Sequence, residues 1–328
     1  MKPKISIVIP SFNQGRYIEQ TIVSVLDQQY PNLELIVIDG GSKDETLSVL
    51  KKYEKHFAHW ESEPDSGQTH AINKGFKYCS GEIFNWLNSD DYYEPAALYE
   101  IAEAFKNPSV NVVCGTELAF RDDDPSHTVF HSGTVVMKNW YESVRVGIYT
   151  QPCSFMRMSE ARKCFPLNES LRYVMDRELW WKYLMRNGQD GVKKIDTRIS
   201  NFRLHTSSKS VGEQDFFGVE FDALKRSLFD QLRAPDYFFS PLKDQGSQLD
   251  IQWPVAGKDK LQILSAFAAY FAQRAYVAED LEATQKFISF VKKHRHAKLS
   301  FAERKMWVMS CVAPHSLVKG LKKIKKSS

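Results

Sequence analysis

Residues 84–93 read Phe-Asn-Trp-Leu-Asn-Ser-Asp-Asp-Tyr-Tyr, an apolar run that ends in two adjacent carboxylates, Asp90 and Asp91. The run is typical of a buried β-strand, and open α/β sheets bind ligands beyond the carboxyl ends of their strands. Adjacent carboxylates repel each other unless a cation lies between them, and Mg²⁺ or Mn²⁺ that also binds phosphate oxygens suits this place. The alternative is a solvated turn in which an aspartate caps the helix beginning near Pro95.

Strand and helix patterns alternate before this run. Residues 4–10 and 33–39 are rich in β-branched residues and predict buried strands. Apolar residues at helical spacing predict helices over 17–26 and 43–53. This alternation predicts a parallel sheet with right-handed crossovers.

Acidic residues recur where the predicted strands end. Asp39, Asp65 and the Asp90-Asp91 pair each follow a strand. Because parallel strands end at the same edge of a sheet, the acids favour a binding site there over unrelated solvated turns. No Gly-x-Gly-x-x-Gly or Gly-x-x-x-x-Gly-Lys-Ser/Thr motif occurs. The main sequence evidence for a dinucleotide-binding or P-loop protein is therefore missing. A nucleotidyltransferase would need a glycine-rich loop near residues 10–16, and none is present.

The composition is that of a globular protein, with 328 residues, 43% hydrophobic and 26% charged. No apolar run reaches the roughly 20 residues that span a bilayer, and the first residues lead into a strand pattern, so we predict a cytoplasmic protein. The five cysteines include no Cys-x-x-Cys pair, which predicts reduced and mostly buried thiols.

The charge is uneven along the chain. Residues 292–328 carry a net charge of +10, against −6 for the remainder. Basic and apolar residues share the segment 316–326, which predicts an interfacial helix and peripheral contact with the inner face of a membrane. A solvated tail that binds nothing is the alternative, and no nucleic-acid partner is predicted.

Several short motifs resemble the family-2 glycosyltransferases with the GT-A fold. They are Ser-Ile-Val-Ile-Pro-Ser-Phe-Asn (6–13), Val-Ile-Asp-Gly-Gly-Ser-Lys-Asp (37–44), Glu-Pro-Asp-Ser-Gly (63–67), Ala-Ile-Asn-Lys-Gly (71–75) and Trp-Leu-Asn-Ser-Asp-Asp (86–91). The resemblance resumes at Gln-Pro (151–152), Asp-Arg-Glu-Leu-Trp-Trp (176–181) and Phe-Arg-Leu-His (202–205).

The resemblance implies an α/β fold: a GT-A, Rossmann-like, mostly parallel sheet flanked by helices, with a C-terminal helical subdomain. The catalytic domain would occupy residues 1–215, with a nucleotide-binding half at 1–95 and an acceptor half at 96–215. Residues 216–328 would form the helical region with its basic tail. Apolar residues at 261, 264, 267, 268 and 271 predict one buried helical stripe there.

For the nucleotide, the resemblance implies that Pro10, Phe12 and Asn13 line the base pocket. Asp39 would accept a hydrogen bond from N3 of uracil or thymine, which cytosine cannot donate. An acid that only shapes the turn is the alternative for Asp39.

For the diphosphate sugar, the resemblance places Asp65 near the ribose and the sugar and Lys74 near the diphosphate. Asp90 would contact the ribose or sugar, and Asp91 would bind the metal. His205 would lie in a loop that closes over the diphosphate. Lys74 as an ordinary surface residue and His205 as a structural histidine are the alternatives.

On the acceptor side, the resemblance implies that Asp176 is the catalytic base, with Glu178 as a substitute. A helix-capping role is the alternative for Asp176. The family usually has a Gly-Gly-Phe turn upstream, whereas residues 163–168 read Lys-Cys-Phe-Pro-Leu-Asn. The acids at 122–124 are a second metal candidate, for which a solvated turn is the preferred interpretation.

Taken together, the resemblance implies an inverting glycosyltransferase. It would use a divalent metal, Mn²⁺ or Mg²⁺, and move a sugar from a UDP- or dTDP-sugar to a hydroxyl of a glycan or lipid-linked acceptor. Cell-surface polysaccharide or glycolipid synthesis is the expected setting. A catalytically silent protein that binds sugar nucleotides or glycans on the same fold is the alternative.

Overall fold

The structure is a computed structural model that describes residues 2–124, 128–206, 208–243, 249–294 and 299–312. The predicted interfacial helix at 316–326 lies outside these residues. Within them, no helix combines the length and the apolar character needed to cross a bilayer.

The described residues form one nine-stranded sheet. The strands are β1 (Ile5–Ser11), β2 (Leu33–Asp39), β3 (His59–Ser62), β4 (Ile83–Trp86), β5 (Tyr92–Tyr93), β6 (Val112–Arg121), β7 (Thr128–Gly133), β8 (Ser154–Arg157) and β9 (Val192–Leu204). Their order is β3-β2-β1-β4-β8-β6-β9-β5, and β7 pairs with β6.

Pairing divides the sheet into two halves. β1 to β4 are parallel to one another, as the alternation of strands and helices predicts. β8 joins this half to β6 by antiparallel pairing on both of its edges. β9 is parallel to β6 and antiparallel to β5, so the second half is mixed. The predicted α/β architecture is confirmed, and parallel pairing is concentrated in strands β1 to β4.

Helices cover both faces of the sheet and continue beyond it. They are α1 (Ile18–Leu26), α2 (Thr46–Tyr53), α3 (Gln68–Tyr78), α4 (Ala97–Ala104), α5 (Trp140–Val146), α6 (Met158–Cys164), α7 (Met175–Asn187), α8 (Lys209–Gly212), α9 (Gln214–Gln231), α10 (Lys260–Val277), α11 (Leu281–His294) and α12 (Phe301–Val312).

Two hydrophobic clusters hold these layers together. Alternation along β1 directs Ile7 into one cluster, shared with α1 and α4, and Val8 into the other, shared with α3 and α7. The second cluster continues into the C-terminal helices, where the Trp181 ring lies 6.2 Å from that of Phe267. The C-terminal helices therefore pack directly against α7.

One detail of the predicted stripe on α10 is wrong. Leu264, Phe267, Ala268 and Phe271 are buried as predicted, but Leu261 is 40% exposed. Leu261 lies in the first turn of the helix, where the packed surface has not yet begun, and periodicity cannot show where a packed face starts. The cysteine prediction is confirmed, because all five thiols are free and only Cys311 is exposed.

Candidate functional site

The carboxyl ends of the parallel strands meet at one edge, where Asp39 lies in register with Ser11 on one side and Ser62 on the other. The Asp39 side chain is buried. Its Oδ2 accepts hydrogen bonds from the Ser42 N–H (2.9 Å), the Gly41 N–H (3.2 Å) and the Ser62 hydroxyl (2.6 Å). Its Oδ1 accepts from the Ser42 hydroxyl. Asp39 thus organises the turn after β2 and keeps unused acceptor capacity on Oδ1.

The loop after β1 lies against this turn. The Asn13 N–H donates to Ser42 Oγ (2.7 Å), and the Asn13 Oδ1 accepts from the Lys43 N–H (2.9 Å). Asn13 has a left-handed backbone with φ of +52°, a conformation that asparagine tolerates. Pro10 is buried within β1, whereas Phe12 is 58% exposed and presents its ring to solvent. These three residues share one edge with Asp39, and their base-pocket role stays a prediction.

Asp65 lies beside the same turn. Its Oδ1 accepts from the Gly67 N–H (2.7 Å). A Cβ on Gly40 would lie 3.0 Å from Asp65 Oδ2, so the glycine directly after Asp39 leaves room for this close approach. The structure therefore brings Asp65 to the Asp39 edge, and its contact with ribose or sugar stays a prediction.

Lys74 is directed toward β3. Its Nζ lies 2.6 Å from Glu61 and 3.3 Å from Glu63, and the Glu61 carboxylate raises the pKa of Lys74. Two acids therefore already neutralise this lysine. Its role at a diphosphate stays a prediction that would require these ion pairs to open.

Asp90 and His205 meet at the centre of the edge. Antiparallel pairing of Tyr92 with Asn201 brings the turn after β4 against the end of β9. The His205 Nε2 then lies 3.1 Å from Asp90 Oδ2, and the ring packs 4.6 Å from that of Tyr17. His205 is almost buried, while the Asp90 side chain keeps 19% of its surface exposed. A carboxylate and an imidazole thus meet at this edge, and only the carboxylate keeps an appreciable exposed surface.

Asp91 points the other way. Its side chain is fully buried, with Oδ1 accepting from the Arg203 N–H (3.0 Å) and Oδ2 from the Asn88 amide (3.1 Å). Its carbonyl oxygen accepts from the Thr21 hydroxyl (2.7 Å). Burial, together with the Asp90 charge, raises the pKa of Asp91 well above its usual value. The predicted metal role of Asp91 stays untested, but this geometry favours Asp90 as the carboxylate that faces a ligand.

Arg203 is held within the protein. Its guanidinium donates to Asp122 (2.7 Å), to the Asp90 carbonyl oxygen (3.0 Å) and to Gln20. Arg16 also lies 2.8 Å from Asp122. Burial acts to raise the pKa of Asp122, but the hydrogen bond and charge of Arg203 outweigh it, and the pKa is lowered. The solvated-turn interpretation is therefore wrong for Asp122, because an arginine 81 residues away buries it in an ion pair.

Lys209 connects the two sides of the site. Its Nζ donates to Gln68 Oε1 (3.1 Å) and to the Arg172 carbonyl oxygen (3.0 Å), and burial lowers its pKa. Gln68 in turn donates to Asn88 Oδ1 (2.8 Å), and Asn88 donates to Asp91. A continuous hydrogen-bonded path therefore runs from the acid pair to the turn that precedes α7.

Asp176 occupies the second position of α7. Its Oδ1 accepts from the Arg177 N–H (2.8 Å). Burial raises the pKa of Asp176, and the positive charge of Arg177 acts against it. A raised pKa suits a general base that works near neutral pH. The assignment of Asp176 as the base stays a prediction.

Glu178 is structural instead of a substitute base. It is buried and lies 2.7 Å from Lys182, and it accepts from the Asn168 N–H (2.8 Å). Lys182 also donates to the carbonyl oxygens of Cys164 (3.1 Å) and Pro166 (3.0 Å). The pair therefore holds the loop before α7 in place of the expected Gly-Gly-Phe turn.

The Asp90–His205 pair offers one carboxylate oxygen and one ring nitrogen to a divalent cation. Within the described ranges, no three His, Cys, Asp or Glu side chains form a ready-made metal site. The two donor atoms are 3.1 Å apart, and neighbouring ligands of an octahedral ion with bonds of about 2.1 Å are about 3 Å apart. Mg²⁺ is usually held by one or two carboxylates together with substrate phosphates. The pair fits such an ion if the substrate supplies the remaining oxygens.

Sequence reasoning missed three contributors to this site. Tyr17 packs on His205, Gln68 bridges to Asn88, and Lys209 ties the loop after β9 to both sides. The signal for Lys209 was its place in the polar loop that follows His205. Tyr17 and Gln68 each open a helix, and nothing in their local sequence distinguishes them from ordinary helix-start residues.

Comparisons with known proteins agree with this geometry. Residues 6–164 match the family model described as Glycosyl transferase family 2. An uncharacterised glycosyltransferase of Rickettsia typhi is 34% identical over 194 residues, which cover 56% of this chain and 59% of that protein. The putative teichuronic acid biosynthesis glycosyltransferase TuaG of Bacillus subtilis is 34% identical over 137 residues, covering 40% of this chain and 54% of that protein. The chain therefore spans less than two thirds of the length of either relative.

A solved structure extends the comparison to the whole fold. The crystal structure of S. aureus TarS 1-349 in complex with UDP superposes with a TM-score of 0.58 at 17% identity, covering 98% of this chain and 91% of that chain. The family match lies on the strands and turns that carry Asp39 and Asp90, and the fold matches throughout. Residues 6–164 therefore carry the sequence of glycosyltransferase family 2.

Proposed function

We propose that the protein is an inverting glycosyltransferase that moves a sugar from a UDP- or dTDP-sugar to a hydroxyl of a glycan acceptor. The observation that carries this proposal is the Asp90–His205 pair, 3.1 Å apart, on the sheet edge that also holds Asp39. A cation held by this pair would neutralise the diphosphate of the donor. The loop after β1 and the turn after β2 would bind its nucleoside.

The base pocket is assigned to the loop after β1 and the turn after β2. Asp39 Oδ1 accepts one hydroxyl hydrogen bond, and a carboxylate oxygen has capacity for about two, so an imide N–H can be accepted there. The exposed Phe12 ring offers an apolar surface for a base. The UDP complex of the TarS structure agrees with a uridine donor.

The metal is assigned to Asp90 and His205, with Asp91 beneath them as a structural acid. When bound, a divalent ion would neutralise the charge that develops on the departing diphosphate. Asp91 supports this arrangement by fixing the turn through the Arg203 N–H and the Asn88 amide.

The base is assigned to Asp176. Its carboxylate would take the proton of the acceptor hydroxyl while the hydroxyl oxygen attacks the anomeric carbon and the bond to the diphosphate breaks. One displacement of this kind inverts the configuration at the anomeric carbon. The raised pKa of Asp176, which burial causes, suits proton abstraction near neutral pH.

The acceptor is assigned to the polysaccharide class because the relative TuaG is named for teichuronic acid biosynthesis. A lipid-linked glycan would account for the basic residues at 316–326, which could hold a cytoplasmic enzyme at the inner face of a membrane. Co-sedimentation with anionic vesicles tests this part. Full-length protein should bind at low salt and release at high salt, and a chain ending at Pro314 should not bind.

A panel of sugar nucleotides tests the proposal as a whole. A donor present at about a hundred times its Kd should stabilise the protein by about 2.7 kcal/mol, and more strongly with Mn²⁺ than with chelator. The stabilising donor is then assayed for transfer to glycan acceptors and for anomeric configuration. Stabilisation by purine nucleotides alone would contradict the Asp39 assignment. Binding without turnover on any acceptor would favour the silent binding protein.

A further inference from the structure

The turn that leads into α7 is held by a carboxylate from the C-terminal region. The backbone N–H groups of Arg172 (2.7 Å), Tyr173 (2.7 Å) and Val174 (2.8 Å) all donate to Glu220 of α9. Helix α7 begins at the next residue. Three consecutive N–H groups directed at one anion resemble the anion-binding arrangement at a helix N-terminus. Glu220 therefore fixes the point from which α7 starts.

The same segment of the chain makes further contacts with this turn. Lys209 of α8 donates to the Arg172 carbonyl oxygen (3.0 Å), and the Tyr173 hydroxyl donates to Glu213 Oε2 (2.5 Å). The Tyr173 ring lies 5.1 Å from that of Phe217. Both faces of the turn are thus attached to residues 209–220, which lie beyond the part of the chain that matches the family model.

We propose that Glu220 is a positioning residue for Asp176, so that helix α9 completes the acceptor side of the active site. This inference rests on the proposed role of Asp176 as the base. Asp176 follows the clamped turn by two residues, so a shift of the turn moves its carboxylate. A general base must lie within hydrogen-bond reach of the proton it takes, and a displacement of about 1 Å can cost about 100-fold in rate.

The pKa of Asp176 responds both to the Glu220 charge and to burial. The Glu220 charge acts to raise the pKa of Asp176, as burial does, while Arg177 acts to lower it. Tyr149 also interacts with Asp176. The charged groups around Glu220 itself are Lys209, Glu213 and Arg172. Neutralising Glu220 should therefore lower the pKa of Asp176, and loosening of the turn would lower it further by exposing Asp176. Hydrogen exchange of amides 172–174 follows the clamp itself, because these N–H groups donate to Glu220.

The test replaces Glu220 by Gln, which keeps one acceptor oxygen but removes the charge. The matched control is Asp230→Asn, which removes an exposed acid on the same helix about 15 Å further along. Carboxyl ¹³C NMR follows the titration of Asp176, identified by the signal lost in Asp176→Asn. In Glu220→Gln we expect a lower pKa for Asp176, a kcat lowered about 10- to 100-fold and an unchanged donor KM. The acidic limb of the rate profile should move to lower pH, and Asp230→Asn should match the wild type.

The outcomes separate the two proposals. Amides 172–174 that exchange as slowly in a folded Glu220→Gln variant as in the wild type overturn the positioning role, whether or not any donor is turned over. If these amides exchange faster in the variant and the pKa of Asp176 is lower, but the wild type transfers no sugar, the positioning role stands and the proposed function fails. Hydrogen exchange of the wild type adds a test that needs no variant. Amides 172–174 should exchange slowly, and exchange at the rate of an unfolded chain would overturn the inference.

Discussion

The two sides of the candidate site are held by contacts of different separation along the sequence. On the nucleotide side, Asp39 is organised by Ser42, three residues later in the same turn. On the acceptor side, the turn before Asp176 is held by Glu220, which follows Val174 by 46 residues. The proposed nucleotide pocket is thus a local product of strand ends, whereas the placement of the proposed base depends on packing between distant helices.

The largest expected effect is on the acceptor side. Asp176→Asn should lower kcat about 1,000-fold because the acceptor hydroxyl loses its base, and donor affinity should stay within about twofold. Turnover of the wild type should fall as pH drops through the raised pKa of Asp176, since the protonated carboxyl cannot accept a proton. Steady-state transfer kinetics and calorimetric titration with the donor measure the two quantities. Unchanged turnover would remove Asp176 from the mechanism and make the acceptor side a binding surface.

A smaller effect is expected on the nucleotide side. Asp90→Asn should lower kcat/KM about 100-fold, mainly through weaker donor binding in the presence of Mn²⁺, because the amide is a poor ligand for a hard cation. Donor titrations with Mn²⁺ and with chelator measure the difference. A donor affinity that responds to Mn²⁺ as strongly in the variant as in the wild type would exclude Asp90 as a metal ligand.

A third effect concerns the free energy of unfolding and a buried acid in the mixed half of the sheet. Glu117 on β6 is buried, its Oε1 accepts from the Ser132 hydroxyl (2.9 Å), and burial raises its pKa to about 7. A folded pKa above the unfolded value of about 4.5 gives stability that is present below about pH 4.5 and is lost as the pH rises to about 7. Glu117→Gln should therefore gain about 2 to 3 kcal/mol relative to the wild type between about pH 5 and about pH 8.

Urea unfolding of the two proteins at both pH values measures this difference. If the difference in free energy of unfolding between Glu117→Gln and the wild type is the same at both pH values, Glu117 does not titrate in the folded protein as its burial predicts. Such a result would indicate that a counter-charge or water reaches this carboxylate.

The smallest effect separates the two adjacent acids. Asp91→Asn should change the free energy of unfolding by no more than about 1 to 2 kcal/mol. The hydrogen bond from the Asn88 amide is lost, but a buried acid whose pKa burial raises is also removed, and the two effects oppose each other. The Mn²⁺ concentration for half-maximal activity should stay unchanged, in contrast to Asp90→Asn. A strong shift of that concentration in Asp91→Asn would restore the original metal assignment to Asp91.

Much of the fold followed from periodicity and composition. Strands β1, β2 and β4 and helices α1 and α2 were predictable because each carries its own pattern of apolar residues. Acids after parallel strands were expected to converge because such strands share an edge, and Asp39 and Asp65 do lie together there. These are consequences of local sequence, which is why reading along the chain finds them.

Orientation within a turn was not predictable. Asp90 and Asp91 have the same chemistry and adjacent positions, but the N–H of Arg203, 112 residues later, and the hydroxyl of Thr21 bind Asp91 and hold it as the buried one. The same strand end brings His205 to Asp90. A hydrogen bond between distant strands leaves no periodic trace in either local sequence.

Reading the sequence alone was enough to predict the α/β fold, the convergence of acidic residues at one edge of the sheet, and the residue types gathered there. The tertiary structure decided which acid faces outward, that Asp122 is paired with Arg203, and that α9 holds the start of α7 through Glu220. The difference follows from how far apart along the sequence the interacting groups lie. Helix and strand patterns arise from neighbouring residues, whereas each of these decisions depends on groups that meet only after the helices have packed against the sheet.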